Sequence, residues 1–360
     1  MEFDLSAARG IGSFVRYSED PPSSFENISD EQSDLLKNSF YQNGLLVDAR
    51  SAPKINKIAE KVISRLCLPS QSVSCFVFSN SEIQATCFSL SDVECVIHLS
   101  SGLVRLLSDD ELAFVIGHEL GHFILGHQGS DGARKSAEDY MHQRNQEISV
   151  DRIGLLACNN INSAVKALIK TISGLDERHL GFDVGQFISQ VNNQVSTNSG
   201  ASLADSHPSL VIRCRALLLF SSSNVLSSKI DEIERLDFTT INLMVKKEMD
   251  KYVDAPLRSK IREIAEDLFF WKASQIVFSA GSFSKENQSK FNDQFGGPMT
   301  QKLIDLLSSY SKSEISSMLD QRTHEACDQL ERIIPRGFEN EYEKIVEKCE
   351  NLLESSSTQT

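Results

Sequence analysis

Two histidines and a glutamate with the spacing H-E-x-x-H stand at His118, Glu119 and His122. An α-helix turns about 100° per residue, so residues four apart lie on one face and two imidazoles at this spacing can bind the same ion. Glu119 lies one step further round the helix, too far to join that pair as a ligand but close enough to polarise a metal-bound water. The motif therefore predicts one helix that supplies two metal ligands and a general base.

The residues before this motif predict a defined helix start. Residues 109–116 begin with acidic side chains, which stabilise the positive end of the helix dipole, and continue with apolar residues at helical spacing. Ser108 suits an N-cap position, with Glu111 three residues later as in a capping box. The motif thus lies where a buried helix is expected on independent grounds.

A third ligand is needed, because catalytic zinc usually takes three from the protein. His127 lies nine residues after His118, on the opposite side of an ideal helix, which favours a capping or surface position for it. A metzincin site would need glycine at position 125 and histidine at position 128. Leu125 and Gln128 stand there instead, so the metzincin pattern is excluded.

Glu147 is the better candidate for the third ligand. Glu147 and Asp151 share one face of a predicted second helix, in which Ile148 and Leu155 can pack inward. A carboxylate from a second helix would complete an N,N,O set, the ligand chemistry of hydrolytic zinc sites. Asp151 could accept a hydrogen bond from the other ring nitrogen of a histidine ligand. Taken alone, however, two carboxylates at this spacing are more often solvated side chains.

The combination of H-E-L-G-H with E-x-x-x-D-R-x-G about one helix later resembles metallopeptidase family forty-eight. This gluzincin group includes the CAAX prenyl proteases and the heat-shock membrane peptidases. Further segments match the family in order: 52–68 as its first helix, 71–78 as the following strand, 101–107 as the segment before the zinc helix, and His207-Pro208-Ser209 with Arg213 downstream. Residues 84–88 stand where many relatives have N-A-F on the strand beside the cleft.

Carried over residue by residue, the resemblance implies a set of zinc ligands. His118, His122 and Glu147 would hold one Zn²⁺ per chain, Glu119 would act as the general base, and Asp151 would support a histidine ligand. The implied activity is that of a zinc metalloendopeptidase, a hydrolase that cleaves peptide bonds of polypeptide substrates.

The resemblance also places His207 and Arg213 among the catalytic residues. His207 would donate a hydrogen bond to the developing oxyanion, or would cap the metal in a closed resting state. Arg213 would anchor a carboxylate or hold the active-site helices together. The alternative for this pair is an ordinary junction of loop and helix, with Pro208 in the first helical turn.

Two other function classes compete with the peptidase. One is a non-proteolytic, zinc-containing binding or chaperone-like protein whose metal site is closed by His207. The other is an all-helical scaffold in which the H-E-x-x-H string is accidental. Metal analysis separates the second from the peptidase, and cleavage of an unfolded protein separates the first.

Composition limits the expected number of domains, the partners and the location of the protein. The 360 residues are 40% hydrophobic, enough for two domains of ordinary size. A net charge of −14 argues against nucleic acid or an anionic membrane as a partner. There is no charge-free apolar run of about 18 residues and no secretory signal, which predicts no integral membrane segment and a cytoplasmic location. The eight cysteines show no C-x-x-C spacing and are expected to be reduced.

The fold class expected is α+β, mostly α. A zincin-like metallopeptidase domain with a small β-sheet would cover residues 51–220, and an all-α helical bundle would cover residues 221–360. Residues 1–50 would form an irregular segment with one short helix at 28–40. Three β-prone stretches, 76–78, 86–90 and 95–99, predict a three-stranded sheet.

Three further features concern loops and the C-terminal part. The small-residue stretch 196–202 could form a lid over the cleft, and residues 221–224 would mark the domain boundary. Residues 278–286 weakly resemble the turn of TerB-like helical modules, without the acidic residue expected before the glycine. The helical bundle is expected to dock substrates or a protein partner, with Trp271 in its core.

Overall fold

A computed structural model describes residues 4–20, 29–127, 136–181, 207–224, 236–250, 255–279 and 283–354. Contacts divide the chain into two compact units, one of residues 1–133 with 140–253 and the other of residues 134–139 with 254–360. The described residues are mostly helical and include one small mixed sheet. This agrees with the expected α+β class.

The described helices up to residue 250 include the two that carry the predicted metal ligands. They are α1 (Ser6–Val15), α2 (Asp30–Asn43), α3 (Pro53–Arg65), α4 (Ser101–Leu106), α5 (Asp109–Leu125), α6 (Ala137–Cys158), α7 (Ile161–Ser173), α8 (Leu210–Ser221) and α9 (Phe238–Met249).

The sheet has four strands in the order β1-β2-β4-β3. They are β1 (Leu45–Leu46), β2 (Val73–Phe78), β3 (Ala85–Ser89) and β4 (Cys95–Ser100). β4 pairs parallel with β2 and antiparallel with β3, whereas β1 pairs antiparallel with β2. The three predicted strands are present, but the prediction of three strands in all missed β1, because two residues carry no periodic signal.

The N-terminal part is more regular than predicted. Residues 1–27 were expected to be irregular, yet residues 6–15 form α1. Ala8, Gly12 and Val15 are buried at a spacing of three to four residues, and Ala8 and Val15 belong to the same apolar core as Leu120 and Phe123 of α5. A short amphipathic helix of this kind is stabilised by packing rather than by its intrinsic propensity.

Helix α5 begins and ends as its sequence predicts. Ser108 and Glu111 form a capping box, and the Glu111 carboxylate also accepts a hydrogen bond from the buried Lys170 ammonium at 2.8 Å. Gly126 ends the helix with φ of 72°, in the left-handed region that glycine adopts without strain. Most of α5 is buried, so the H-E-x-x-H motif sits on a rigid core helix.

Two glycines let α5 and α6 approach closely. A Cβ on Gly117 would overlap the Cβ of Ala157, and a Cβ on Gly121 would lie 3.1 Å from the Cβ of Val150. Contacts below 3.4 Å force the neighbour to move. The absence of side chains at these two positions therefore brings the histidines of α5 within reach of Glu147 on α6.

The first compact unit extends beyond the expected boundary at residue 220. Helix α9 buries Ile241, Val245 and Met249 in one cluster with Ile212 and Ala216 of α8. Because these residues share a core, α9 belongs to the first unit, which ends at residue 253 rather than at 221–224.

Described residues of the second unit after residue 254 lie in helices and short connections. The helices are α10 (Ala255–Ser279), α11 (Lys285–Phe295), α12 (Gly297–Ser309), α13 (Lys312–Ile333) and α14 (Phe338–Glu354). Trp271 is buried in their core, as expected, and its indole N–H donates to Asp267. Gly281, on which the resemblance to a TerB-like turn depends, lies outside the described residues.

Two further expectations can be compared with the described residues. Among the described helices, none combines the length and apolar composition that a membrane crossing requires. All eight cysteines are free thiols.

Candidate metal centre

Three side chains from two helices converge at one point. The ligand atoms of His118, His122 and Glu147 all lie within 4.8 Å of one another. His118 Nε2 is 3.6 Å from one carboxylate oxygen of Glu147, and His122 Nε2 is 3.5 Å from the other. The structure thus brings together the three residues that the sequence predicted as metal ligands.

This arrangement suits zinc. Ligand atoms on a tetrahedral zinc ion lie roughly 3.3 Å apart, because each bond is about 2.0–2.2 Å long. The two imidazole-to-carboxylate distances above are close to that value. Glu147 Oε2 is also buried and accepts no hydrogen bond from the described residues. The Arg213 guanidinium lies 3.3 Å from the same oxygen and offsets part of the cost of burying it. Two imidazoles and a carboxylate are the N,N,O donor set of hydrolytic zinc sites, so the residues present fit the metal.

Asp151 and Arg213 support the ligands from behind. His118 Nδ1 lies 3.0 Å from Asp151 Oδ1, so an N–H at Nδ1 donates there and leaves the Nε2 lone pair for a metal. Arg213 donates two hydrogen bonds to Asp151, from Nε at 2.8 Å and from Nη2 at 2.7 Å. Arg213 Nη2 is also 3.3 Å from Glu147 Oε2. The Arg213 guanidinium therefore links α8 to the carboxylates of Asp151 and Glu147 on α6.

The electrostatic balance keeps both carboxylates ionised. Burial alone would raise the pKa of Glu147, but the Arg213 guanidinium and the two imidazoles outweigh it and hold that pKa well below its usual value. Burial also opposes ionisation of Asp151, whose pKa is nevertheless lowered by Arg213 and His118. For His118, burial lowers the pKa, yet the carboxylates of Glu147 and Asp151 raise it above its usual value.

Glu119 directly follows the ligand His118 in sequence and is partly exposed. Its charge reaches strand β3, where the pKa of the Cys87 thiol is raised well above its usual value by the neighbouring Cys95 thiol, by burial and in part by Glu119. β3 is an edge strand of the sheet. The carboxylate expected to act as a base thus lies near the edge strand rather than in the helical core.

His207 is at the rim of the centre. Its Nε2 lies 3.6 Å from Glu147 Oε1, and its side chain is 61% exposed. Pro208 precedes the N-cap Ser209 of α8, so it is not in the first helical turn, where the alternative for His207 had placed it. The lid predicted at residues 196–202 lies outside the described residues.

His127 is not a surface residue. It is buried, and its Nε2 lies 3.1 Å from Asp20 Oδ2. Its ring also contacts the ring of His122, with centroids 5.4 Å apart. Sequence reasoning missed both Asp20 and this contact, because residues 16–20 show no periodic pattern that would have assigned them to a core.

The segment that carries the H-E-x-x-H motif matches a known protein family. The sequence model of peptidase family M48 matches residues 49–138, which include His118, Glu119 and His122. The match covers a quarter of the chain, and within it the chain is similar to peptidase family M48. The M48 assignment supports a zinc metallopeptidase and hence a protease at the level of the family. Glu147, Asp151, His207 and Arg213 lie beyond the matched M48 segment.

A curated relative supports the same M48 assignment. A protease HtpX homolog of Thermococcus kodakarensis is 34% identical over 98 residues, which are 27% of this chain. The aligned part spans 33% of the length of that relative.

Proposed function

We propose that the chain is a zinc-dependent metalloendopeptidase that hydrolyses peptide bonds of protein substrates. The observation that carries the proposal is the convergence of His118, His122 and Glu147, whose ligand atoms all lie within 4.8 Å of one another. One Zn²⁺ per chain would be held by these three residues. The M48 assignment, which is at family level, supports the same reaction class.

Peptide hydrolysis requires a general base and a hydrogen-bond donor in addition to the metal, and two residues of the chain are proposed for these roles. When bound, Zn²⁺ supplies Lewis acidity, which activates water at neutral pH and polarises a peptide carbonyl. The Glu119 carboxylate accepts the proton of the attacking water and passes it to the nitrogen of the leaving amine. The His207 imidazole, which is exposed at the rim, donates a hydrogen bond to the oxygen of the peptide carbonyl as negative charge develops there.

Asp151 and Arg213 hold the proposed metal ligands in position. Asp151 fixes the ring of His118 through Nδ1. Arg213 offsets part of the negative charge of Asp151 and Glu147 and holds α8 against α6. Since these contacts involve buried, ionised partners, loss of either residue would leave an uncompensated charge beside the metal. Arg213 is therefore proposed to act on catalysis through Glu147 and Asp151.

Removal of the metal tests the proposal. Treatment of the purified protein with a zinc chelator is expected to abolish cleavage of fluorescently labelled casein, and a small excess of Zn²⁺ should restore it. The control is the same chelator saturated with zinc beforehand, which should leave cleavage unchanged. Cleavage that persists without bound metal would contradict the proposal.

The alternative remains a zinc-containing binding or chaperone-like protein whose metal site is closed by His207. The distance of 3.6 Å between His207 Nε2 and Glu147 Oε1 supports this second candidate, because a fourth protein ligand would fill the position that water needs. A protein that binds zinc stoichiometrically but cleaves neither casein nor a peptide library, even as His207→Ala, would favour this candidate.

We also propose a polypeptide partner for the second unit. A cavity of about 550 Å³ lies among its helices, within the size range of ligand sites. Its lining includes the aromatic rings of Phe269, Phe270 and Phe295. The carboxylates of Glu263, Glu266 and Asp267 also line it and outnumber its one lysine, Lys260, which pairs with Glu263 at 3.1 Å. Apolar surface beside negative charge suits a segment that carries both basic and apolar side chains, and we propose that such a segment of a substrate binds there.

Charge reversal tests this docking site. The double substitution Glu263→Lys and Glu266→Lys is expected to weaken binding of a fluorescent peptide of alternating Lys and Leu by about 10-fold, because two attractions become repulsions. Fluorescence anisotropy of the full chain measures the affinity. Glu343→Lys with Glu347→Lys, two exposed residues of α14, is the matched control. Equal affinity for a Glu-Leu peptide would rule out the proposed partner chemistry.

We also propose a domain order, a location and an excluded partner. A zincin-like metallopeptidase domain is followed by a helical domain, the protein is cytoplasmic, and nucleic acid is not a partner. Free thiols at all eight cysteines support the cytoplasmic location, and the net charge of −14 argues against nucleic acid.

A further inference from the structure

Residues 15–20, here called the N-terminal clamp, contact both helices that carry the metal ligands. Alternate clamp residues bond to α6, in three pairs: Arg152 Nη1 to the Val15 carbonyl at 3.1 Å, the Tyr17 amide to Ser149 Oγ at 3.0 Å, and Asn145 Nδ2 to the Glu19 carbonyl at 2.9 Å. Two other clamp residues reach the first helix: Arg16 bonds to the last turn of α5, and Asp20 contacts His127 just after its end. The clamp thus lies along both helices at once.

Asp20 joins the two helices through a single carboxylate oxygen. Its Oδ2 accepts a hydrogen bond from Ser149 Oγ at 2.6 Å and lies 3.1 Å from His127 Nε2. Ser149 follows Glu147 by two residues on α6. Asp20, Ser149 and His127 are all buried, so solvent cannot replace these contacts.

His127 also contacts the predicted metal ligand His122. Its backbone N–H donates to the carbonyl oxygen of His122 at 2.8 Å, and its ring lies edge-on to the ring of His122. Arg16 Nη2 donates to the Leu125 carbonyl at 3.2 Å in the last turn of the same helix. A displacement of His127 would therefore move the end of α5 and the imidazole of His122.

Burial makes this arrangement sensitive to any change in Asp20. Asp20 Oδ1 and His127 Nδ1 are buried and have no hydrogen-bond partner among the described residues. A partly satisfied polar network in a low-dielectric interior is costly, and it is stable only in the geometry that keeps its remaining bonds. The Asp20 contacts therefore hold α5 and α6 in one relative position.

We infer that the N-terminal clamp is part of the metal centre, in which Asp20 and His127 act as positioning residues that set His122 against Glu147. The clamp, with Asp20, precedes the segment matched by the family model, residues 49–138, whereas His127 lies within that segment. It rests on the proposed function only in requiring that His118, His122 and Glu147 bind a metal ion.

Asp20→Asn is the first test, because the amide keeps the shape of the side chain and removes its charge. Competition with a fluorescent zinc chelator is expected to show about 10-fold weaker zinc binding, the lower end of the effect of residues that orient metal ligands. In the protein loaded with ¹¹³Cd²⁺, the NMR signal of the ion should shift, since the shift reports ligand geometry.

Glu19→Gln is the matched control. Glu19 belongs to the same clamp, but its carboxylate pairs with Lys246 at 2.8 Å rather than with either metal-bearing helix. Zinc affinity and the ¹¹³Cd signal of this variant should equal those of the unaltered protein. Thermal unfolding of the metal-free proteins shows whether Asp20→Asn is folded before zinc is added.

Two outcomes would overturn the inference, and neither depends on cleavage. One is a folded Asp20→Asn protein with unchanged zinc affinity and an unchanged ¹¹³Cd signal. If Asp20→Asn does not fold, Ser149→Ala removes one donor to Asp20, and unchanged affinity in that variant would be the other. Failure of the unaltered protein to bind zinc at all would instead contradict the proposed function.

Discussion

Glu119→Gln is expected to lower the rate of peptide cleavage by roughly 10²–10⁴-fold, the usual contribution of a general base. The amide has the size of the carboxylate but cannot take a proton from water, so the chemical step is lost. Glu119 is not one of the three converging ligands, and the variant should therefore bind one zinc ion per chain like the unaltered protein. Metal content by mass spectrometry and cleavage of labelled casein measure the two properties separately.

A matched control separates this role from a general effect of charge. Glu331 is exposed on α13, and Glu331→Gln removes the same charge from the surface of the second unit. This variant should cleave at the rate of the unaltered protein. Full activity in Glu119→Gln would end the proposed mechanism, while loss of zinc from Glu119→Gln would show that Glu119 serves the metal rather than the proton transfer.

His118→Ala is expected to abolish both zinc binding and cleavage. The substitution removes one of three ligands, and it also leaves Asp151 without the imidazole that contacts it. Zinc stabilises the folded state of a protein that binds it by about 2.7 kcal/mol when free zinc exceeds the dissociation constant 100-fold. The unaltered protein should therefore unfold at a higher temperature when zinc is added, and His118→Ala should not respond.

His324→Ala provides the control for this experiment. The His324 side chain is 78% exposed on α13, far in sequence from the metal ligands. Its replacement should preserve both the zinc-dependent rise in unfolding temperature and the cleavage rate. A His118→Ala protein that still gains stability from zinc would show that the ion binds elsewhere, and the proposed centre would have to be abandoned.

The local parts of the site could be predicted because helical geometry fixes them. Ser108 and Glu111 define the start of α5, and the spacing of His118 and His122 places both rings on one face whatever surrounds the helix. The same reasoning put Glu147 and Asp151 on one face of α6. Their roles as ligand and support stay predictions, although the structure places both beside His118.

Features that depend on contacts between distant segments were harder to predict from the sequence. The sequence predicted neither the two-residue strand β1 nor the packing of α9 on α8, which extends the first unit past residue 220. His127 was expected at a capping or surface position, because an ideal helix would place it opposite His118. Its backbone N–H does bond to the last turn of α5, but the chain turns inward after Gly126 and the side chain is buried. Local periodicity carries no information about the direction of the chain beyond such a turn.

The sequence by itself determined which residues could perform metal chemistry and on which helical faces they lie, since periodicity and capping act within a few residues. Only the tertiary structure decided that two helices meet at Gly117 and Gly121, and that Arg213 pairs with Asp151. It also decided that Asp20 lies buried between those helices. Each of these contacts joins segments far apart in the chain, where close packing and the need to pair buried charge select the partners.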